Sequence, residues 1–137
     1  MRKIKPEKQI ATFLKHISHP TRVRILLAIG EDEACVCHLE AILGYRQAYI
    51  SQHLMELRNA DILETSRDGR YVYYHIADLQ ILVIIEQLAN IIGIPTEILE
   101  NLRNPEPLSN CCCPRCISNH MTSCQKINLE EKESFSC

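Results

Sequence analysis

The sequence predicts a mainly α domain that carries one small β-hairpin, on three observations. Over most of the first hundred positions, apolar residues recur every three or four, the spacing that lines one face of a helix. Between residues 63 and 76 the period drops to two, as in a pair of strands. Between 79 and 92 nearly every side is apolar, so that helix needs cover from more than one direction.

Ile10, Phe13, Leu14 and Ile17 place a first helix over about 6–17. His19-Pro20-Thr21 breaks it, and Pro20 suits the first position of a second helix. That helix turns Val23, Leu26 and Leu27 inward and stops at Gly30. After the acidic turn Glu31-Asp32-Glu33, a short helix carries Leu39, Ile42 and Leu43 and ends at Gly44. Ile50, Leu54 and Leu57 mark a helix over about 47–59, with Gln47, Ala48, Ser51, Gln52, Met55 and Asn59 facing outward. Asp68-Gly69 between two β-rich runs, 63–67 and 70–76, is a strong hairpin signal. Val72, Tyr74 and Ile76 should share one face, and Tyr71, Tyr73 and His75 the other. Residues 78–92 return to helix, and Pro95 opens a last one to about Arg103. A recognition-type helix, a two-stranded wing and a closing apolar helix make a winged helix-turn-helix: mainly α, with an α+β wing. In so small a chain, the closing helix predicts a dimer with a shared core.

The 137 residues suffice for one small domain, over 1–103, and a Cys-rich tail, over 104–137, expected to be flexible. No apolar segment follows the charged start, and none spans a bilayer, so no membrane is involved and a cytoplasmic location is expected. There the eight cysteines serve as thiolates rather than as a disulfide framework. Net charge is −2, but residues 1–30 hold seven Lys/Arg against Glu7 alone. A basic N-terminal third suits phosphate, although charge alone leaves DNA binding open.

Cys35-Val36-Cys37 at the mouth of the helix-turn-helix is a soft-metal chelate. Side chains two apart in a helix diverge by about 200°. Both thiols therefore reach one ion only where the helix begins between them or its first turn is distorted. A helix N-terminus also favours the thiolate, while Glu31, Asp32 and Glu33 oppose it. The bland alternative is two small buried hydrophobes.

Four motifs then fall in one order: His19-Pro20-Thr21-Arg22-Val23-Arg24-Ile25-Leu26; Cys35-Val36-Cys37-His38-Leu39; Gln47 through Ser51-Gln52-His53-Leu54 and Leu57-Arg58-Asn59-Ala60; Arg67-Asp68-Gly69-Arg70 with Tyr73-Tyr74. Over about residues 8–92 the chain resembles the ArsR/SmtB family of bacterial metal-responsive repressors, of the thiolate CxC type. The resemblance implies a homodimer, joined through its first and fifth helices. It would bind operator DNA with an inverted repeat and let go when metal binds. Asp61 departs from the family, which usually has Gly there; Asp tolerates a left-handed backbone better than most residues.

By position in these motifs, Gln47, Ser51, Gln52 and His53 are base-edge or phosphate candidates, with Arg46 and Tyr49 secondary; His53 has the alternative of capping or packing within the domain. Arg67 and Arg70 at the wing tip suit phosphate or minor-groove contact. For metal, Cys35 and Cys37 need further donors, and the tail offers Cys111, Cys112, Cys113 and Cys116, in the same or the partner chain. A rival use of the tail is a zinc knuckle, Cys113-x2-Cys116-x3-His120-x3-Cys124. The family's other site, on the fifth helix, keeps Asp78 but has no imidazole there. The expected inducers are therefore thiophilic: As(III), Sb(III), Cd(II) or Pb(II), with mercury also of this class; no organic cofactor is expected. The alternative function is a cysteine-based redox or persulfide-sensing repressor on the same scaffold. An enzyme is not expected: no Ser/His/Asp or paired-carboxylate arrangement stands out, and Cys113-Pro114-Arg115-Cys116 lacks the βαβ setting of redox pairs.

Overall fold

The computed structural model describes residues 3 and 5–106. Within them the order is α1 (Pro6–Ile17), α2 (Pro20–Ile29), β1 (Ala34–Cys35), α3 (Val36–Leu43), α4 (Gln47–Asn59), β2 (Leu63–Asp68), β3 (Tyr71–Ile76), α5 (Gln80–Ile92) and α6 (Thr96–Arg103). Helices α2 to α4 close round a core in which Ile25, Leu26, Leu39, Ile50, Leu54 and Leu57 are fully buried. Ile62, Leu63 and Ile76 extend that core under the wing. Pro20 stands at the start of α2 and Gly44 ends α3 in the left-handed region, at φ 76°.

The wing differs from expectation in three respects. It has three strands, in the order β1-β3-β2 and all antiparallel. Strand β1 is two residues long, too short to show any period. The hairpin loop is Gly69-Arg70, closed by the pair Asp68 and Tyr71. Gly69 has φ +63° and Arg70 does not share the sign, the pattern of a type II′ turn, so Arg70 belongs to the turn and not to the strand. Finally, β3 is central and covered on both faces. Tyr74 and Ile76 pack on the main core, while Tyr73 on the opposite face is buried against Cys35 and Ala41.

Helix α5 turns Ile81, Leu82, Ile85 and Ala89 onto the core. Its other side leaves Val83, Ile84, Leu88, Ile91 and Ile92 exposed, and α1 leaves Ile10 and Leu14 exposed. Among the described residues no helix is long and apolar enough to cross a membrane.

Asp61 is, among the described residues, the sole non-glycine at positive φ, 59°, at the turn from α4 into β2. A β-branched side chain is strained there. Asp61→Val is expected to be less stable than Asp61→Gly by about 1–2 kcal/mol in urea unfolding.

Candidate nucleic-acid interface and thiol site

Helix α4 starts after the extended residue Arg46. Ile50, Leu54 and Leu57 hold it to the core. Arg46, Gln47, Tyr49 and Gln52 are exposed on the outer side, and Ser51 is half-buried. These residues cluster in the first turns, the part of a recognition helix that enters the major groove. Arg67 and Arg70 are exposed at the wing tip, where two guanidinium groups can straddle phosphates.

His53 is placed differently from the other expected contacts. It is 8% exposed, and its Nδ1 accepts a hydrogen bond from Arg22 Nε at 3.1 Å. Its ring lies 4.5 Å from that of His19 and 4.7 Å from that of Tyr49. Arg22 also donates to the His16 carbonyl at 3.0 Å. His19 caps α2 by accepting from the Thr21 amide, and Thr21 Oγ1 meets the Tyr49 hydroxyl at 2.9 Å. His53 is thus a strut that ties the recognition helix to the end of α1 and the start of α2. Arg22, His19 and Thr21, which the sequence did not mark as functional, complete the clasp. A long-range contact of this kind leaves no periodic trace in a sequence.

Burial lowers the pKa of His53; the charges of His19 and Arg22 lower it further, and Glu56 opposes them. The unfolded chain therefore binds a proton at higher pH than the folded one, which makes stability rise with pH in that interval. This contribution is whole above a pH of about 6.5, the free-histidine value, and fades as pH falls toward the depressed folded value. In urea titrations between these limits the wild type should lose more stability than His53→Gln, whose amide oxygen can still accept from Arg22.

The thiols meet the geometric condition derived from the sequence. Helix α3 begins at Val36, between them; Cys35 is the capping residue, extended at φ −85° and ψ 165°. Its Sγ accepts the His38 amide at 3.3 Å. An N–H aimed at sulfur and the positive end of the helix both place partial positive charge beside Cys35 Sγ. Cys35 is buried and Cys37 half-buried. In β1, Cys35 stands in register opposite Tyr73, and Cys37 and Tyr71 pack on the same small cluster. The donor pair is soft and suits thiophilic ions. Among the described residues no group of three His, Cys, Asp or Glu is gathered to hold a metal, so two sulfurs need donors from elsewhere. Cys111, Cys112, Cys113 and Cys116 lie outside the described residues, as do His120 and Cys124 of the knuckle alternative. Asp78, the remnant of the other family site, accepts the Gln80 amide at 2.9 Å at the head of α5.

Residues 19–65 match the model of the bacterial regulatory protein arsR family. The chain is 35% identical over 91 residues to a biofilm growth-associated repressor of Agrobacterium fabrum, a match covering 66% of this chain and 78% of that one. A transcriptional repressor SmtB homolog of Synechocystis is 30% identical over 97 residues, 66% of this chain and 74% of the relative. The cadmium resistance transcriptional regulatory protein CadC of Listeria innocua is 35% identical over 78 residues, 56% and 66% respectively. Among solved structures, NolR from Sinorhizobium fredii superposes with a TM-score of 0.58 at 31% identity, covering 69% of this chain and all of that one. Motif order, winged architecture and these matches converge: the chain belongs to the ArsR/SmtB family of bacterial transcriptional repressors.

Proposed function

We propose that this repressor binds an inverted-repeat operator as a homodimer and is released by a thiophilic ion, As(III), Sb(III), Cd(II) or Pb(II), held by Cys35 and Cys37 with thiols of the tail (Cys111, Cys112, Cys113, Cys116). The observation that carries this reading is the position of Cys35. One residue caps the helix that supports α4 and also pairs with the inner strand of the wing. Cys35 and Cys37 would hold the ion, which would move the first turn of α3 that Cys35 caps. That movement is transmitted through α3 to α4 and through Tyr73 to β3. The ion would supply positive charge for the thiolates; the chain supplies the lever. The cadmium-resistance relative is consistent with an inducer of this class.

The exposed apolar residues of α5, Val83, Ile84, Leu88, Ile91 and Ile92, and those of α1, Ile10 and Leu14, support the homodimer, because clustered exposed apolar side chains suit a protein contact. Arg46, Gln47, Tyr49, Ser51 and Gln52 face one half-site, and Arg67 and Arg70 flank it. Gln52→Ala is expected to cost about 1–3 kcal/mol in operator affinity, with relaxed preference at one base pair. Arg67→Ala or Arg70→Ala should weaken all sequences alike and flatten the salt dependence by about one unit of slope. Fluorescence anisotropy on a set of singly altered operators distinguishes the two behaviours.

The reading itself is tested by titrating arsenite, cadmium, lead and zinc into the protein–operator complex at fixed salt. Release by the thiophilic ions at concentrations where zinc leaves the complex intact is the expected result. A complex that none of them dissociates overturns it.

A further inference from the structure

We infer that Thr21 is a positioning residue for operator recognition: through its hydroxyl, the head of α2 sets the roll of α4 about its own axis. The inference rests on the reading above that the outer side of α4 faces the DNA. Ile50, Leu54 and Leu57 are fully buried and hold α4 on the core. Apolar burial is non-directional, so these contacts resist separation more than rotation. Directional ties come from two consecutive residues of α2. Thr21, 5% exposed, shares a hydrogen bond of 2.9 Å with the Tyr49 hydroxyl. Arg22 Nε donates to His53 Nδ1 at 3.1 Å. Tyr49 and His53 stand one turn apart on α4, so the two ties grip one edge of the helix at two heights.

The tied residues are themselves braced. On α2 the Thr21 amide donates to His19 Nδ1 at 3.1 Å, and Arg22 Nη1 donates to the His16 carbonyl at 3.0 Å. On α4 the Tyr49 ring makes edge contacts with Tyr45 at 5.3 Å and His53 at 4.7 Å, and Arg24 lies over the Tyr45 ring at 5.9 Å. The radius of the helix makes the Thr21 bond matter. A side-chain tip about 6 Å from the axis moves about 1 Å for every 10° or so of roll. The useful window of a hydrogen bond to a base edge is only about 0.5 Å wide. Gln52 stands about 60° round the wheel from Tyr49, so a slack tie at Tyr49 displaces the amide that would read a base pair. With its hydroxyl held by Thr21, Tyr49 acts on the operator through the position of α4.

The probe is an inverted-repeat duplex that the full-length wild type selects from a randomised DNA pool, set against a scrambled duplex of the same length. Affinities are read by fluorescence anisotropy. Thr21→Val and Tyr49→Phe remove the same bond from opposite ends, neither with a change of charge. The expected result is a loss of about 2- to 10-fold toward the selected duplex, the worth of one hydrogen bond, equal in the two variants and no larger when they are combined. Binding to the scrambled duplex stays unchanged, and Thr21→Ser, which keeps the hydroxyl, restores the wild-type affinity. Thr21→Ala replaces the valine variant if that one does not fold. Thr21→Val binding as wild type while Tyr49→Phe does not would put the Tyr49 hydroxyl on the DNA and overturn the inference. So would wild-type binding by both, losses that add in the double variant, or equal losses on the two duplexes. Changing Gln47, Ser51 and Gln52 together to alanine separates this from the reading it rests on. If both affinities survive that change, α4 does not read the DNA and both fall. If the preference is lost there but kept in Thr21→Val, the positioning role alone falls.

Discussion

Replacing Cys35 and Cys37 with serine is expected to leave a repressor that binds its operator normally and no longer responds to the inducing ion. Serine is a good helix cap, so the His38 amide keeps an acceptor and α3 keeps its start. The soft donors are gone, and oxygen is a poor substitute for sulfur toward these ions. Coupling between two sites on one protein is typically about 1–3 kcal/mol, a factor of about 5–150 in affinity. In anisotropy titrations the wild type should show a factor in that interval and the double variant a factor of about one. The coupling is reciprocal, so operator-bound wild type should hold the ion more weakly by the same factor. A variant that still leaves DNA when given the ion would refute the lever. The wild type tests the redox alternative: release by peroxide without metal, reversed by a dithiol and absent in the double variant, would assign the response to oxidation of these thiols.

Ile91→Glu should break the subunit pairing. Ile91 is 78% exposed in the single chain, on the α5 side that carries Ile84, Leu88 and Ile92. Burying such a side chain is worth about 1.5–3 kcal/mol. In a two-fold interface every substitution counts twice, so the dimer loses about 3–6 kcal/mol, before the cost of burying carboxylates. The dissociation constant should rise by a factor of about 10²–10⁴, and affinity for an inverted repeat should fall with it. Ile81, Leu82, Ile85 and Ala89 stay on the core, so circular dichroism should report an intact fold. Sedimentation equilibrium decides: an unchanged association constant would move the subunit contact off this face.

The helical frame was legible because burial and period agree. Ile10, Phe13, Leu14 and Ile17, and again Ile50, Leu54 and Leu57, locate α1 and α4 at the observed boundaries. Asp61 was marked only by the family resemblance, as a departure from a usual Gly, and it does sit at positive φ. What escaped depends on distance in sequence. Strand β1 exists because Ala34 and Cys35 meet Tyr74 and Tyr73, a pairing no local pattern announces. The inward turn of His53 depends on Arg22, 31 positions earlier. On the helical wheel His53 lies between exposed Tyr49 and buried Leu57, at the edge of the core face, and only the packed partner decides which way its ring faces.

The chain has no tryptophan and five tyrosines, and their placement has a practical consequence. Tyr45 and Tyr49 lie together beside the start of α4. Tyr71 and Tyr73 lie against the sulfur pair, and Tyr74 joins the main core. Four of the five intrinsic emitters thus stand at one or other of the two proposed sites. Ultraviolet emission from the unlabelled molecule should report both kinds of occupancy, and phenylalanine exchanges at 45 and 49, or at 71 and 73, should divide the signal between them.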